Sequence, residues 1–264
     1  MSDVVLLEVA DRVATVTLNR PDARNAMSAE LVERLGRLVA EADTSDDVDV
    51  LILTGTDPAF CAGLDLKELG HDGGILKRRP GQSETRVPTR RGRGATLPTT
   101  KPIIGAINGA AVTGGLELAL NCDLLVASER ARFADTHARV GVHPLWGLTV
   151  LLPQAVGIRR AREMSATGNF VDAYLALEWG LVNHVVAHDK LLPLAHHLAA
   201  DIVSSDQRAV RAILATYEAA SRVPGGEAWD VEARSAAVFQ RGGVDPADIE
   251  SRRLGVVDRG RSQV

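Results

Sequence analysis

The chain has 264 residues with a formal net charge of −4, and 45% of it is hydrophobic, 24% charged and 3% aromatic. That is enough length and apolar content for a sizeable core. It lacks both the basic excess and the stacking rings of a nucleic-acid binder. No apolar run approaches the ~18 residues that span a membrane, and the opening MSDVVLLEVADR lacks the basic-then-apolar layout of a signal peptide. With Cys61 and Cys122 outside any metal-ligand spacing, reduced thiols and a cytoplasmic location are expected.

In chain order, VVLLEVADRVATVTLNRP alternates apolar and polar residues about Ala10-Asp11-Arg12, the pattern of a β-hairpin. Ser28 is a candidate N-cap for SAELVERLGRLVAEA, where Leu31, Leu35, Leu38 and Val39 recur at helical spacing. VDVLILTGT reads as a strand buried on both faces. FCAGLDLKELG reads as a turn entering a short helix. KPIIGAINGAA, VTGGLELALN and CDLLVAS follow as strand, helix and strand. This rhythm predicts an α/β core of repeated strand–helix units. From about Ala195 only helical patterns remain, AHHLAADIVSS, DQRAVRAILATYEAAS and EAWDVEARSAAVFQR. The expected division is a core over 1–195 and a helical module over 196–264.

Lys77 to Gly94 carries seven Lys/Arg against one Glu, a net of +6 in an acidic chain. Its prolines and glycines oppose a helix. It reads as a solvated insertion or as a cationic lid beside a phosphate-bearing ligand.

A helix starting near Gly114 leaves its first N–H groups without intrahelical partners, and glycine there lets a ligand approach the backbone. FCAGLDL offers a second such place, where Gly63 permits a tight turn ahead of Leu64. Two backbone donors from two turns can converge on one oxygen, the construction of an oxyanion hole. Glu117 lies one turn inside the second helix, positioned to face the same cavity as a general acid or base.

The order NRPDARNAMS, FCAGLDL, KPIIGAINGAAVTGGLELALNCD, ARFADTHARVGVHP and TGNFVDAYLALEWGLVNHVV resembles the crotonase family of enoyl-CoA hydratases and isomerases, over roughly residues 4 to 195. The resemblance implies a crotonase-like spiral of β-β-α repeats with a C-terminal helical module, assembled as a homotrimer or a dimer of trimers. It implies an acyl-CoA thioester as substrate, its carbonyl held by the N–H groups of Leu64 and Gly114. Ala26, Ala62, Leu64, Asp65, Leu66, Lys67, Gly114 and Trp146 would contact the substrate, although Trp146 could equally pack the core. Glu117 matches a catalytic glutamate. No metal or redox cofactor is called for, and coenzyme A arrives as part of the substrate.

The second hydratase glutamate corresponds to His137, four residues after Phe133. A histidine there titrates near physiological pH and can hold or pass a proton; the alternative is a space-filling group bonded to Asp135 or to a carbonyl. Asp135 and His143 read first as loop residues satisfied by solvent or backbone, with a reserve acid–base role as the alternative, and Asp123 is expected to pin a strand. The tail DIESRRLGVVDRGRSQV lacks the lysine and aromatic contacts that relatives offer coenzyme A, for which Arg259 or the cationic segment would substitute. The leading expectation is hydration of a 2-enoyl-CoA. The alternatives are isomerisation by a single carboxylate, a non-catalytic acyl-CoA-binding member, and an RNA-binding one.

Overall fold

A computed structural model describes residues 3–72, 97, 99–205, 207–221, 247, 250 and 253. The basic segment 77–94, the helix expected from residue 227 and Arg259 lie outside the described residues.

β1 (Val5–Ala10) and β2 (Val13–Leu18) form the expected antiparallel hairpin, with Ala10 opposite Val13. Asp11 and Arg12 both take positive φ, 48° and 63°, the two-residue turn whose twist matches that of its strands. α1 (Ala29–Thr44) begins where Ser28 accepts the Leu31 N–H at 3.2 Å, and Leu31, Leu35, Leu38 and Val39 form its buried stripe. At its other end Lys101 Nζ donates to Ala42 O at 2.8 Å and Ser45 O at 2.6 Å. A cation there satisfies carbonyls that the helix leaves open and complements its dipole.

Three β-β-α units follow. The first is β3 (Val50–Gly55), β4 (Ala59–Cys61) and α2 (Leu66–Asp72). The second is β5 (Ile103–Ile107), β6 (Ala110–Val112) and α3 (Gly114–Leu120), and the third is β7 (Leu124–Ser128), β8 (Arg132–Ala134) and α4 (His137–Val140). Then come α5 (Leu148–Val156), α6 (Ile158–Thr167), β9 (Val171–Asp172), α7 (Ala173–Glu178), β10 (His184–Val186), α8 (Leu191–Val203) and α9 (Gln207–Ser221). One sheet runs β1-β2-β3-β5-β7-β10 and the other β4-β6-β8-β9. The first strand of each unit therefore joins the large sheet and the second joins the small one, and within each sheet these strands pair parallel. This is the spiral of β-β-α repeats that the motifs imply.

The central strands of the large sheet are buried on both faces. Leu51 and Leu53 of β3 enter the main core, while Val50 and Ile52 turn toward Leu191, Ala195 and Ala199 of α8. Alternating side chains that all meet apolar partners give the uninterrupted hydrophobic run read in the sequence. The division expected at 195/196 falls inside α8, which packs on this sheet. No helix among the described residues is long and apolar enough to cross a membrane.

The small sheet sets the site. β4, β6 and β8 lie side by side, and each ends in a turn that starts a helix: residues 62–65 before α2, Thr113 before α3, and 135–136 before α4. Parallel neighbours sit about 4.8 Å apart. Three loops distant in sequence thus emerge together at one end of one sheet. Closeness there depends on Gly115, where a Cβ would stand 2.1 Å from Cys61 O and 2.8 Å from Cys61 C. Those are backbone atoms that cannot swing aside, so Gly115→Ala should cost ~3 kcal/mol or more. A thermal melt checks this; a Tm equal to that of the parent would contradict it.

Candidate active site

Gly63 has φ +95°, and a Cβ placed on it would lie 2.8 Å from Val112 O, 3.2 Å from Thr113 Cβ and 3.5 Å from Gly114 N. Glycine at 63 is therefore required twice, by its left-handed backbone and by the approach of the neighbouring turn. Met27 N–H donates to Gly63 O at 2.8 Å and Asp65 N–H donates to Met27 O at 3.1 Å, making a parallel bridge between Met27 and Leu64. In that pattern Leu64 turns its own N–H away from Met27. Among the described residues, neither Leu64 N–H nor Gly114 N–H has a hydrogen-bond partner.

Gly114 opens α3 as expected. A Cβ there would meet Met27 Cε at 2.4 Å, the Trp146 ring at 3.3 Å and Leu64 Cδ2 at 3.8 Å. Leu64 and Trp146 thus stand beside Gly114 with Met27, which the sequence reading missed. Leu64 and Leu66 pack against Leu69, Val140 and Val142, an apolar wall joining α2 to α4. Trp146 also packs against the main core, one of the two alternatives for it.

The other residues expected at the substrate have local partners. Asp65 pairs with Arg20 at 2.9 Å and accepts the Lys67 and Glu68 N–H groups at 3.1 and 3.3 Å, fixing the first turn of α2. The Arg20 guanidinium also donates to Ala26 O, and Ala62 N–H donates to Arg24 O at 3.0 Å. The Lys67 side chain is exposed. Asp123 accepts the Ile103 N–H at 2.8 Å and ties the start of β5 to β7. His143 Nδ1 lies 2.8 Å from Pro144 O.

The titratable groups of α3 and α4 face one another. Glu117, 3% exposed, accepts the Trp146 N–H on Oε1 at 2.7 Å and holds Oε2 3.5 Å from His137 Nε2. His137, 4% exposed, places Nδ1 2.6 Å from Asp135 Oδ1, which also accepts the His137 N–H at 3.1 Å. Asn121 Nδ2 donates to Glu117 O at 2.7 Å and Trp146 O at 2.9 Å, tying the Trp146 loop to α3. His137 is bonded to Asp135, as one of the two alternatives has it, and its other ring nitrogen faces Glu117.

Burial alone would lower the His137 pKa, but hydrogen bonds and charge from Asp135 and Glu117 outweigh it and raise the pKa to about 9. The expected titration near neutral pH is thereby corrected, because two buried carboxylates hold the ring as imidazolium. Burial would raise Asp135, yet the bonds and charge from His137 leave it lowered. Cys61 is buried at the end of β4, and burial pushes its thiol up to about 12, which removes it as a nucleophile at neutral pH. Among the described residues, no three His, Cys, Asp or Glu side chains are grouped to hold a metal ion.

Residues 8–241 match the family model described as Enoyl-CoA hydratase/isomerase. The chain is 36% identical over 230 residues to a protein of Arabidopsis thaliana named "Probable enoyl-CoA hydratase 1, peroxisomal", covering 87% of this chain and 84% of that one. It is 35% identical over 208 residues to a short-chain-enoyl-CoA hydratase of Clostridium acetobutylicum, covering 78% of each. The crystal structure of an enoyl-CoA hydratase from Mycobacterium tuberculosis superposes with a TM-score of 0.80 at 52% identity, covering 91% of this chain and 99% of that one. Motif order, the spiral and these matches agree: the chain belongs to the enoyl-CoA hydratase/isomerase family.

Proposed function

We propose that the protein adds water across the 2,3-double bond of an acyl-CoA thioester. The observation that carries this reading is the approach of His137 Nε2 to Glu117 Oε2 at 3.5 Å, one turn beyond a helix start whose free N–H sits beside the Gly63–Leu64 turn; the raised His137 pKa supports it. Leu64 and Gly114 N–H groups would form the oxyanion hole. They would stabilise the negative charge that develops on the thioester oxygen as the enolate forms, with each donor contributing ~3–4 kcal/mol in the transition state.

Glu117 takes a proton from water as its oxygen bonds to C3. His137 delivers its Nε2 proton to C2 as the enolate collapses. Transfer of the proton from Glu117 to His137, across the gap now 3.5 Å, restores both groups. One water is consumed and no proton is left over. The division of labour replaces a pair of carboxylates with a base and a cationic acid, and Asp135 keeps that acid charged and oriented. Met27, Leu64 and Trp146 would line the acyl end. We propose a homotrimer or a pair of trimers, as the family resemblance implies, with coenzyme A entering as part of the substrate.

Isomerisation is the second reading, favoured by Glu117 standing alone as the site's match to the two hydratase glutamates. Incubation of 2-enoyl-CoA and 3-enoyl-CoA in separate reactions decides between them. Hydration should convert the 2-enoyl compound to 3-hydroxyacyl-CoA with oxygen from labelled water. Interconversion of the two enoyl compounds without labelled oxygen would overturn the hydratase reading.

A further inference from the structure

Thr113 lies between the two proposed oxyanion turns and the His137 helix, and its backbone takes φ 55°, ψ −114°. A β-branched residue at positive φ is strained, and such strain persists only where the surroundings over-determine it. Four contacts do so. Thr113 N–H donates to Ala134 O at 2.8 Å, and Thr113 O accepts the Glu117 N–H at 3.0 Å, which begins α3. The side chain then spans to the adjacent turn. Its Oγ1 lies 2.5 Å from Thr136 Oγ1 and accepts the Thr136 N–H at 3.4 Å.

Each partner is immediately next to a group the chemistry uses. Thr113 precedes Gly114, Thr136 precedes His137, and Thr113 Cβ lies 3.2 Å from the Cβ position of Gly63. Both threonines are buried, at 6% and 1% exposure, so water does not compete for the pair. A fold that needed only a turn here would be served by glycine, which adopts this backbone without strain. Beyond the bulk that valine would also supply, threonine adds a hydroxyl that crosses from the α3 start to the α4 start. We propose that Thr113 is a positioning residue: its hydroxyl, bonded to Thr136, fixes the spacing between the Gly114–Glu117 turn and His137. This rests on the hydratase reading for its effect on rate, though not for its effect on geometry.

Three variants test it, Thr113→Val (shape kept, hydroxyl lost), Thr113→Gly (strain also released) and Thr113→Ser (hydroxyl kept). Hydration of a 2-enoyl-CoA should fall ~10-fold or more in kcat for the first two, because sub-ångström placement governs such chemistry. KM should stay within ~2-fold, since carbonyl and acyl contacts remain. Thr113→Ser should restore most of the rate. Parent-level kcat in Thr113→Val, or loss in Thr113→Ser equal to that in Thr113→Val, would overturn the proposal. A substrate-free readout separates it from the hydratase reading: NMR titration of His137, which Glu117 and Asp135 face. Loosening the pair should move that titration down from about 9 in Thr113→Val and leave it in place in Thr113→Ser. An unmoved His137 titration in Thr113→Val would overturn the proposal even if no hydration were found in the parent.

Discussion

Replacement of Glu117 by Gln should lower kcat for hydration by ~10²–10⁴, the range for loss of a general acid–base group, while the protein stays folded. Gln has nearly the same shape, and its amide oxygen can still accept the Trp146 N–H that Glu117 Oε1 now accepts at 2.7 Å. It cannot take a proton from water, and it presents no charge to His137. Removing one of the two carboxylates that hold the imidazolium should also draw the His137 pKa down from about 9, so residual activity should fade at a lower pH than in the parent. Steady-state kinetics on a 2-enoyl-CoA across pH, with a thermal melt on the same samples, checks both parts. Undiminished kcat in Glu117→Gln would remove this residue from the chemistry.

The second large effect concerns stability. The folded pKa of His137 is raised to about 9, against an unfolded value near 6.5. The folded state therefore holds a proton that the unfolded chain releases within that interval. The stabilisation is fully present below pH ~6.5 and is lost as pH rises through about 9, where a neutral ring is left between Glu117 and Asp135. Its size is on the order of 3 kcal/mol. Asp135 acts in a different window: its pKa is lowered, so its contribution is present above the ordinary carboxylate range and disappears only on acidification. Urea unfolding at pH 6.5, 7.5 and 9 should show falling stability across the series. His137→Gln should flatten that slope and be destabilised at neutral pH by ~3–5 kcal/mol, because two buried carboxylates lose their cation. A parent stability that rises from pH 6.5 to 9 would contradict the charge assignment. Activity should fall over the same alkaline range, since the neutral ring has no proton to give C2.

Much of this architecture is legible in the residues, and the boundary of legibility has a physical cause. The hairpin is marked by Asp11-Arg12 at the point where the alternation reverses, and α1 by Ser28 ahead of a leucine stripe. The central strands of the large sheet announce themselves as apolar runs, but a run buried on both faces carries no phase, so it cannot say which neighbour it pairs with. The strands of the small sheet are three residues long or fewer. They are too short for any periodicity to mark them or their grouping, although they bring the three turns together. The family motifs supplied Leu64, Gly114, Glu117 and His137 as candidates, and the geometry added how they are held.

What the residues alone could not give is the state of His137. Its charge depends on Asp135 two positions earlier and on Glu117 twenty positions earlier, and only the fold sets those distances. Met27, Thr113, Thr136 and Asn121 were missed for a related reason, as each acts through a contact made across turns rather than through a recognisable type or spacing. The division at 195/196 met a different ambiguity. Leu191, Ala195 and Ala199 recur at i, i+4, i+8, a stripe equally suited to a partner subunit or to a sheet, and here it covers the sheet.

The central claim is that two backbone amides on separate turns hold the thioester oxygen while Glu117 and His137 flank the carbons that react. The most direct measurement is a crystal structure with a non-reacting enoyl-CoA analogue bound. Its thioester oxygen should lie within ~3 Å of both Leu64 N and Gly114 N, with C2 near His137 Nε2 and a water on C3 held by Glu117. A thioester oxygen directed at any other pair of donors, or C2–C3 out of reach of both side chains, would contradict it.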